Sequence, residues 1–344
     1  MQNKRLVKNI WYHLIKLRES NQERVMGEIA KVNDIDIWWE EYGNKSNPTV
    51  LLIMGANANC MQWPDKFIER LIANDLHVVR FDNRDVGKST WFNKEPFFSK
   101  VAKLLPLSIS SKLINYVFTA MTDDDGNFIP AEKSNAKYDL NDMAKDAIAL
   151  MDHLNIDKAH IVGASMGGMI TQIIGLDYPE RTLTLTPIMS SPGMGDPDLS
   201  GMTPSLVEGM KESFLLNIQG KYEDGVVRIY KELTGSRFPF DEKKFREEME
   251  PYMIHGYNPY AGHSEAVGAS PNRKERLHEI KVPTLVIHGT EDAILPLDHG
   301  MVLVDNIPNA KSYIMEGVGH EIPEQLLLEI TTEMVTLFKQ TNDY

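Results

Sequence analysis

The sequence contains very little cysteine and has no long apolar run. Cys60 is the only cysteine in 344 residues, so an intrachain disulfide is impossible and zinc sites built from several cysteines are excluded. No stretch of eighteen apolar residues occurs, and a transmembrane helix is therefore not predicted. The N-terminus also lacks the unbroken apolar stretch and small-residue cleavage site of a secretory signal. We expect a cytoplasmic protein.

Basic side chains are also fewer than acidic ones in the chain, except near the N-terminus. The 36 basic and 49 acidic side chains give a net charge of -13, which disfavours nucleic acid as a partner. The first twenty residues nevertheless carry a net charge of +4, and Leu6, Ile10, Leu14 and Leu17 recur among them at helical spacing. We expect an amphipathic helix there. Packing on the domain or self-association through residues 4–17 is favoured over peripheral membrane contact.

Strand and helix patterns alternate from about residue 25 onward. Hydrophobic residues make up 42% of the chain and charged residues 25%, as in ordinary globular proteins. A hairpin is predicted around Asn33-Asp34, and further apolar runs follow at 49–55, 77–83, 159–165, 183–190, 284–290 and 312–317. Segments with helical spacing separate several of these runs. The alternation predicts a parallel sheet covered by helices.

Two stretches interrupt this alternation and define the expected domains. Residues 92–135 contain an apolar helical segment followed by a polar turn, and residues 194–280 are rich in helix patterns and punctuated by proline and glycine. Both follow predicted strands, where loops at the carboxyl edge of a sheet build ligand sites. We expect an N-terminal helix over 1–24, a core formed by 25–193 and 281–344, a helical insertion within it, and a cap.

One motif carries a specific chemical prediction. Gly163-Ala164-Ser165-Met166-Gly167 matches the G-x-S-x-G pattern, in which a serine at a sharp strand-to-helix turn presents its hydroxyl above the sheet edge. The pattern alone is weak evidence, because glycine and serine are common. Its context is stronger, since an apolar strand pattern precedes it and a helix pattern follows. Ser165 is therefore the predicted nucleophile.

A serine nucleophile needs a base, and the base needs an acid that orients it. In this arrangement the chain order is serine, acid, histidine. Asp292 follows the apolar run at 284–290, and His320 follows the run at 312–317. Both positions lie beyond the carboxyl ends of predicted strands, on the same edge as Ser165. Glu291 is the alternative acid, because a one-residue shift in its loop would exchange it with Asp292.

The same segments resemble the α/β-hydrolase superfamily from about residue 25 to the C-terminus. Residues 288–296 match its H-G-x-x-D-x-x-x-P acid loop, and residues 317–320 match its histidine loop. Three further segments, MGANANCMQWPDKF, RFDNRDVGKST and SMGGMITQ…YPERTLTL, resemble bacterial carboxylesterases and aclacinomycin-type methylesterases. The resemblance implies an α/β-hydrolase fold, with a mostly parallel eight-stranded sheet flanked by helices and a helical cap. It also implies an ester substrate.

Backbone N–H groups are expected to bind the oxyanion of the reaction. One donor is predicted to be Met166, the residue after the nucleophile, and the other to come from the loop after the run at 49–55. Aligning the loop's glycine with the family pattern favours Ala56, with Gly55 as the close competitor. Gly55, Trp63 and Met189 are predicted to line the substrate pocket, although core packing explains the last two almost equally well.

The resulting hypothesis is a cofactor-free serine hydrolase that cleaves small-molecule carboxylic esters. A C–C bond hydrolase, an acyltransferase or a perhydrolase could use the same three residues, and a ligand-binding receptor on this fold is the non-enzymatic alternative. Histidine spacing indicates no metal site. Structural roles are favoured for Cys60, for the charged turn at 82–85, and for His288, and a substrate contact is not favoured for His255 or His263.

Overall fold

The computed structural model describes residues 24–120 and 136–341 and forms one eight-stranded sheet. Its strands are β1 (Arg24–Val32), β2 (Ile35–Tyr42), β3 (Thr49–Ile53), β4 (His77–Phe81), β5 (Ala159–Ala164), β6 (Thr182–Ile188), β7 (Leu285–Gly289) and β8 (Lys311–Met315). They are ordered β1-β2-β4-β3-β5-β6-β7-β8. The β1–β2 and β2–β4 pairs are antiparallel, and all other pairs are parallel. The predicted mostly parallel eight-stranded sheet is confirmed.

The first two strands form the predicted hairpin. Asn33 and Asp34 occupy its turn with φ values of 48° and 62°. Two successive left-handed residues are what a two-residue type I′ turn requires, and asparagine and aspartate tolerate this conformation better than most residues. The turn chemistry therefore sets the register that pairs Val32 with Ile35.

Helices cover both faces of the sheet, as its apolar strands require. They are α1 (Asp65–Ile72), α2 (Phe97–Ala102), α3 (Leu107–Ala120), α4 (Leu140–His153), α5 (Met166–Asp177), α6 (Pro204–Ile218), α7 (Tyr222–Leu233), α8 (Glu242–Gly256), α9 (His263–Ala269), α10 (Leu297–Asn306) and α11 (Leu327–Phe338). Alternate residues of β3 serve the two faces: Leu51 and Ile53 pack with α4, α5 and α10, whereas Val50 and Leu52 pack with α1 and α11. No helix among the described residues is both long enough and apolar enough to cross a bilayer.

The region predicted as a cap contains four of these helices, α6 to α9, and the insertion packs against the first of them. The insertion forms two helices, α2 and α3, because Pro106 interrupts the apolar segment. Ala102 and Ile114, one from each helix, share a buried cluster with Ile218 of α6. The predicted N-terminal helix and the polar turn at 122–127 lie outside the described residues.

A buried ion pair fixes the loop that follows β4. Arg84 Nε lies 2.7 Å from Asp146 Oδ2, and Arg84 Nη2 lies 2.9 Å from Oδ1, so the guanidinium contacts both oxygens of this α4 carboxylate. The two side chains are 9% and 2% exposed. Removing one partner of such a pair leaves a buried charge without compensation, which is costly. The loop is thereby held against α4.

We predict that Arg84→Ala lowers the free energy of unfolding by about 3–5 kcal/mol. The matched control is Lys31→Ala, which breaks the Lys31–Asp36 pair on the surface, where the side chains are 84% and 46% exposed. That change should cost no more than about 1 kcal/mol. Urea unfolding monitored by fluorescence measures both values. Equal losses in the two variants would show that burial does not strengthen the Arg84–Asp146 contact.

Candidate active site

Ser165 lies in a strained turn between β5 and α5. Its backbone has φ 55° and ψ −119°, a conformation that residues with side chains rarely adopt. The flanking glycines permit the turn by allowing close backbone approach. A Cβ atom on Gly163 would overlap the carbonyl of Gly167, and one on Gly167 would overlap the carbonyl of Ile53. The strand and the helix can therefore cross this closely only where both positions lack side chains.

His320 and Asp292 are hydrogen-bonded to each other. His320 Nδ1 lies 2.6 Å from Asp292 Oδ2, and the other oxygen of Asp292 accepts the backbone N–H groups of Ile294 and Leu295. Burial raises the pKa of Asp292, but the charge and hydrogen bond of His320 outweigh it and hold this carboxyl below its ordinary value. Asp292 is thus an ionised group that orients the His320 ring.

Glu291, the alternative acid, is directed away from His320, whereas His288 supports the loop of Asp292. The carboxylate of Glu291 accepts hydrogen bonds from the backbone N–H and the hydroxyl of Ser236, at 2.7 Å each, and faces the cap. His288 is fully buried and its Nε2 donates to the carbonyl oxygen of Leu295, which lies in the loop that carries Asp292. The structure therefore places Asp292, and not Glu291, beside His320.

The three predicted residues all follow the carboxyl ends of parallel strands. Ser165 follows β5, Asp292 follows β7 and His320 follows β8. Within the described ranges no hydrogen bond joins the Ser165 hydroxyl to the His320 ring, whose partner is Asp292. Hydrogen bonds between a nucleophile and its base are often loose without substrate and tighten in the complex. The arrangement brings base and acid into contact and leaves the serine on the same edge.

The two segments predicted to supply the oxyanion donors, the start of α5 and the loop after β3, both adjoin Ser165. Met166 is the first residue of α5, so its N–H has no partner within the helix. Gly55 packs directly against the serine, since a Cβ atom on it would lie 3.0 Å from Ser165 Cβ and 3.7 Å from Oγ. Ala56 follows it and is exposed. The loop after β3 therefore lies next to the hydroxyl that would attack.

The other two predicted pocket residues, Trp63 and Met189, are both buried. Trp63 is completely buried and stacks on Phe67, with their ring centroids 5.3 Å apart, so it offers no exposed ring surface to a substrate. Met189 is 4% exposed and follows β6 with φ 49°. The next residue, Ser190, donates its hydroxyl to the carbonyl of Ser165 at 2.9 Å. Met189 is thus close to the elbow, whereas Trp63 belongs to the core.

Sequence reasoning missed the contacts that tie the cap to the histidine loop. The backbone N–H of His320 donates to the carbonyl of Leu233, at the end of α7, over 2.7 Å. The side chain of Glu321 accepts the N–H of Gly235 at 3.0 Å. The G-x-G pattern at 317–319 gave a partial signal, because a Cβ on Gly319 would overlap the Leu233 carbonyl. The cap therefore packs directly on the loop that carries the base.

One group of potential metal ligands occurs among the described residues. Atoms of Cys60, Asp82 and His255 lie within 4.8 Å of one another and are buried. His255 Nε2 is 2.6 Å from Asp82 Oδ2, however, whereas two ligands of a tetrahedral zinc ion lie about 3.3 Å apart. Burial and the nearby Asp82 raise the pKa of the Cys60 thiol, which keeps it protonated. The group is a hydrogen-bonded cluster that joins α8 of the cap to the core.

Comparisons with known proteins agree with this architecture. The family model described as "alpha/beta hydrolase fold" matches residues 48–325. The chain is 26% identical over 309 residues to the rhodomycin D methylesterase DauP of Streptomyces sp. strain C5, covering 85% of this chain and 91% of that protein. It is 33% identical over 193 residues to a 2-hydroxy-6-oxononadienedioate/2-hydroxy-6-oxononatrienedioate hydrolase of Paraburkholderia phymatum, covering 54% and 63%.

Solved structures show the same fold. An esterase from Exiguobacterium antarcticum superposes with a TM-score of 0.65 at 18% identity, covering 91% of this chain and all of that one. An enol-lactonase from Burkholderia xenovorans gives a TM-score of 0.63 at 18% identity over 91% of this chain. The sheet order, the elbow at Ser165 and the family match together establish that this chain belongs to the α/β-hydrolase fold family.

Proposed function

We propose that this α/β-hydrolase is a serine esterase that cleaves carboxylic esters through an acyl-enzyme. The observation that carries the proposal is the 2.6 Å hydrogen bond between His320 and Asp292 at the sheet edge where Ser165 occupies its strained turn. A serine, an ionised carboxylate and a histidine in this chain order are the components of nucleophilic acyl transfer. The likeness to a methylesterase across 85% of the chain supports an ester as the bond that is cleaved.

In the proposed reaction, the Ser165 hydroxyl attacks the ester carbonyl while His320 Nε2 takes its proton. Asp292 holds the Nδ1–H tautomer of His320 and stabilises the imidazolium that forms. The backbone N–H groups of Met166 and Ala56 bind the oxyanion. His320 then returns the proton to the leaving alcohol, and water releases the acid from Ser165 in a second cycle of the same steps.

A second candidate is a hydrolase that cleaves a C–C bond with the same three side chains. It is favoured by the 33% identity to the Paraburkholderia phymatum hydrolase, although that similarity covers 54% of this chain. We assign the ester because the methylesterase likeness covers more of this sequence. Parallel assays of a methyl ester and of 2-hydroxy-6-oxononadienedioate separate the two. Turnover of the dienedioate alone would overturn the esterase assignment.

We predict that Ser165→Ala lowers kcat for a p-nitrophenyl ester by about 10⁴–10⁶-fold, because no other group supplies the nucleophile. Wild-type protein should also release a burst of p-nitrophenol equal to its concentration of active sites if deacylation is slow. The control is Ser205→Ala, which changes an exposed serine on α6 and should leave kcat unchanged. Near-wild-type turnover in Ser165→Ala would refute the proposed function.

We predict that Asp292→Asn lowers kcat by about 10³–10⁴-fold, because an amide does not hold the His320 tautomer that accepts the serine proton. The matched control is Glu291→Gln, one residue away, which keeps an acceptor for Ser236 and should change kcat by less than about threefold. Steady-state kinetics with both variants decide between the two carboxylates. Inactive Glu291→Gln with active Asp292→Asn would reassign the acid.

A further inference from the structure

The loop after β3, which carries the proposed oxyanion donor Ala56, is held mainly by the cap. We define it as the oxyanion loop, residues 55–59. Its own hydrogen bond, from the N–H of Ala58 to the carbonyl of Gly55, is long at 3.4 Å. The neighbouring residue Asn57 instead bonds to the cap through both of its backbone groups. Its N–H donates to His263 Nδ1 at 2.7 Å, and its carbonyl accepts the hydroxyl of Tyr252 at 3.0 Å.

The partners of His263 fix its protonation state. Nδ1 accepts a backbone N–H, so it carries no proton, and Nε2 donates to the carbonyl of Arg84 at 2.7 Å. The ring is fully buried, and burial lowers its pKa. His263 is therefore neutral, with its proton on Nε2. One ring links the oxyanion loop to the loop after β4, which the Arg84–Asp146 pair already anchors.

We propose that His263 is a positioning residue for the oxyanion hole, and this inference rests on the proposed esterase function. The rigid peptide unit between Ala56 and Asn57 contains the N–H that His263 accepts. The Cα atom of Ala56 joins this peptide unit to the one between Gly55 and Ala56. That preceding unit contains the N–H of Ala56, which is the proposed oxyanion donor. Asn57 is left-handed, with φ 59°, so the loop depends on its surroundings to keep this shape. Losing the contact frees the donor to turn away from Ser165.

This role makes the oxyanion hole dependent on the docked cap. His263 belongs to α9, more than two hundred residues beyond Asn57 in the chain. When α8 and α9 lie on the core, His263 and Tyr252 hold Asn57. When they move away, the loop retains the long Ala58–Gly55 bond. Stabilisation of the transition state would then require that α8 and α9 are docked on the core.

The test uses two variants of His263 that each keep one half of the imidazole. His263→Asn places an amide oxygen near the position of Nδ1 and keeps an acceptor for Asn57. His263→Gln places an amide nitrogen near the position of Nε2 and keeps the donor to Arg84. We expect His263→Gln to lower kcat about 10–100-fold with KM nearly unchanged, because the oxyanion donor is displaced. His263→Asn should stay within about threefold of wild type.

Equal loss of kcat in both variants, or normal kcat in His263→Gln, would overturn the proposal, because a role in packing alone does not distinguish the two amides. Amide hydrogen exchange of the oxyanion loop supplies a readout independent of turnover. Exchange at Asn57 should accelerate in His263→Gln and not in His263→Asn. If wild-type protein cleaves no ester, the proposed function fails. In that case hydrogen exchange still tests whether His263 holds the oxyanion loop. Unchanged exchange at Asn57 in His263→Gln would refute that contact as well.

Discussion

The site depends on one close approach of main chain to main chain. At Ser165 the end of β5 turns directly into α5, and the turn is possible because Gly163 and Gly167 leave room for neighbouring carbonyls. The strain of a left-handed serine is offset by the packing of β5 at the centre of the sheet. The rest of the candidate site adjoins this turn: α5 starts directly after the serine, the loop after β3 packs against it, and the loops after β7 and β8 end at the same edge of the sheet.

The region predicted as a cap is hydrogen-bonded to the candidate site. Its segment at 233–236 bonds to the loops that carry His320 and Asp292, through the Leu233 carbonyl and through Ser236. Its segment at 252–263 bonds to the oxyanion loop and to the loop after β4. This region thus contacts the loops after β3, β4, β7 and β8. A helical region attached in this way can transmit a change in its own position to the loops of the candidate site.

Local signals in the sequence predicted much of the fold. Apolar runs located the strands, and Asn33-Asp34 located the hairpin turn. The G-x-S-x-G context located the elbow. Sequence patterns favoured Asp292 as the acid but left Glu291 as an alternative, because the direction in which a loop turns adjacent side chains cannot be read from the sequence.

Sequence patterns also gave no indication of the hydrogen bonds between the cap and the core loops. His263 and Asn57 are far apart in the chain, and neither hydrophobic periodicity nor a motif marks a buried polar contact between loops. The sequence also could not show whether Trp63 is buried, because an aromatic residue near a site can face either a cleft or the core. The structure resolves this case through its stacking on Phe67. These features depend on contacts between segments far apart in the chain, which sequence patterns do not reveal. They concern how the candidate site is held together more than which residues it contains.

The one cysteine of the chain has a consequence for observing the cap. Cys60 has no exposed surface, and the residue before it, Asn59, donates its side-chain amide to the carbonyls of Tyr252 and Gly256 in α8. His255 lies against the same cluster. An alkylating reagent can therefore reach the thiol only after the core around Cys60, to which α8 is bonded, has opened. Because the chain has no second cysteine, the measured rate of alkylation reports how readily this part of the structure opens.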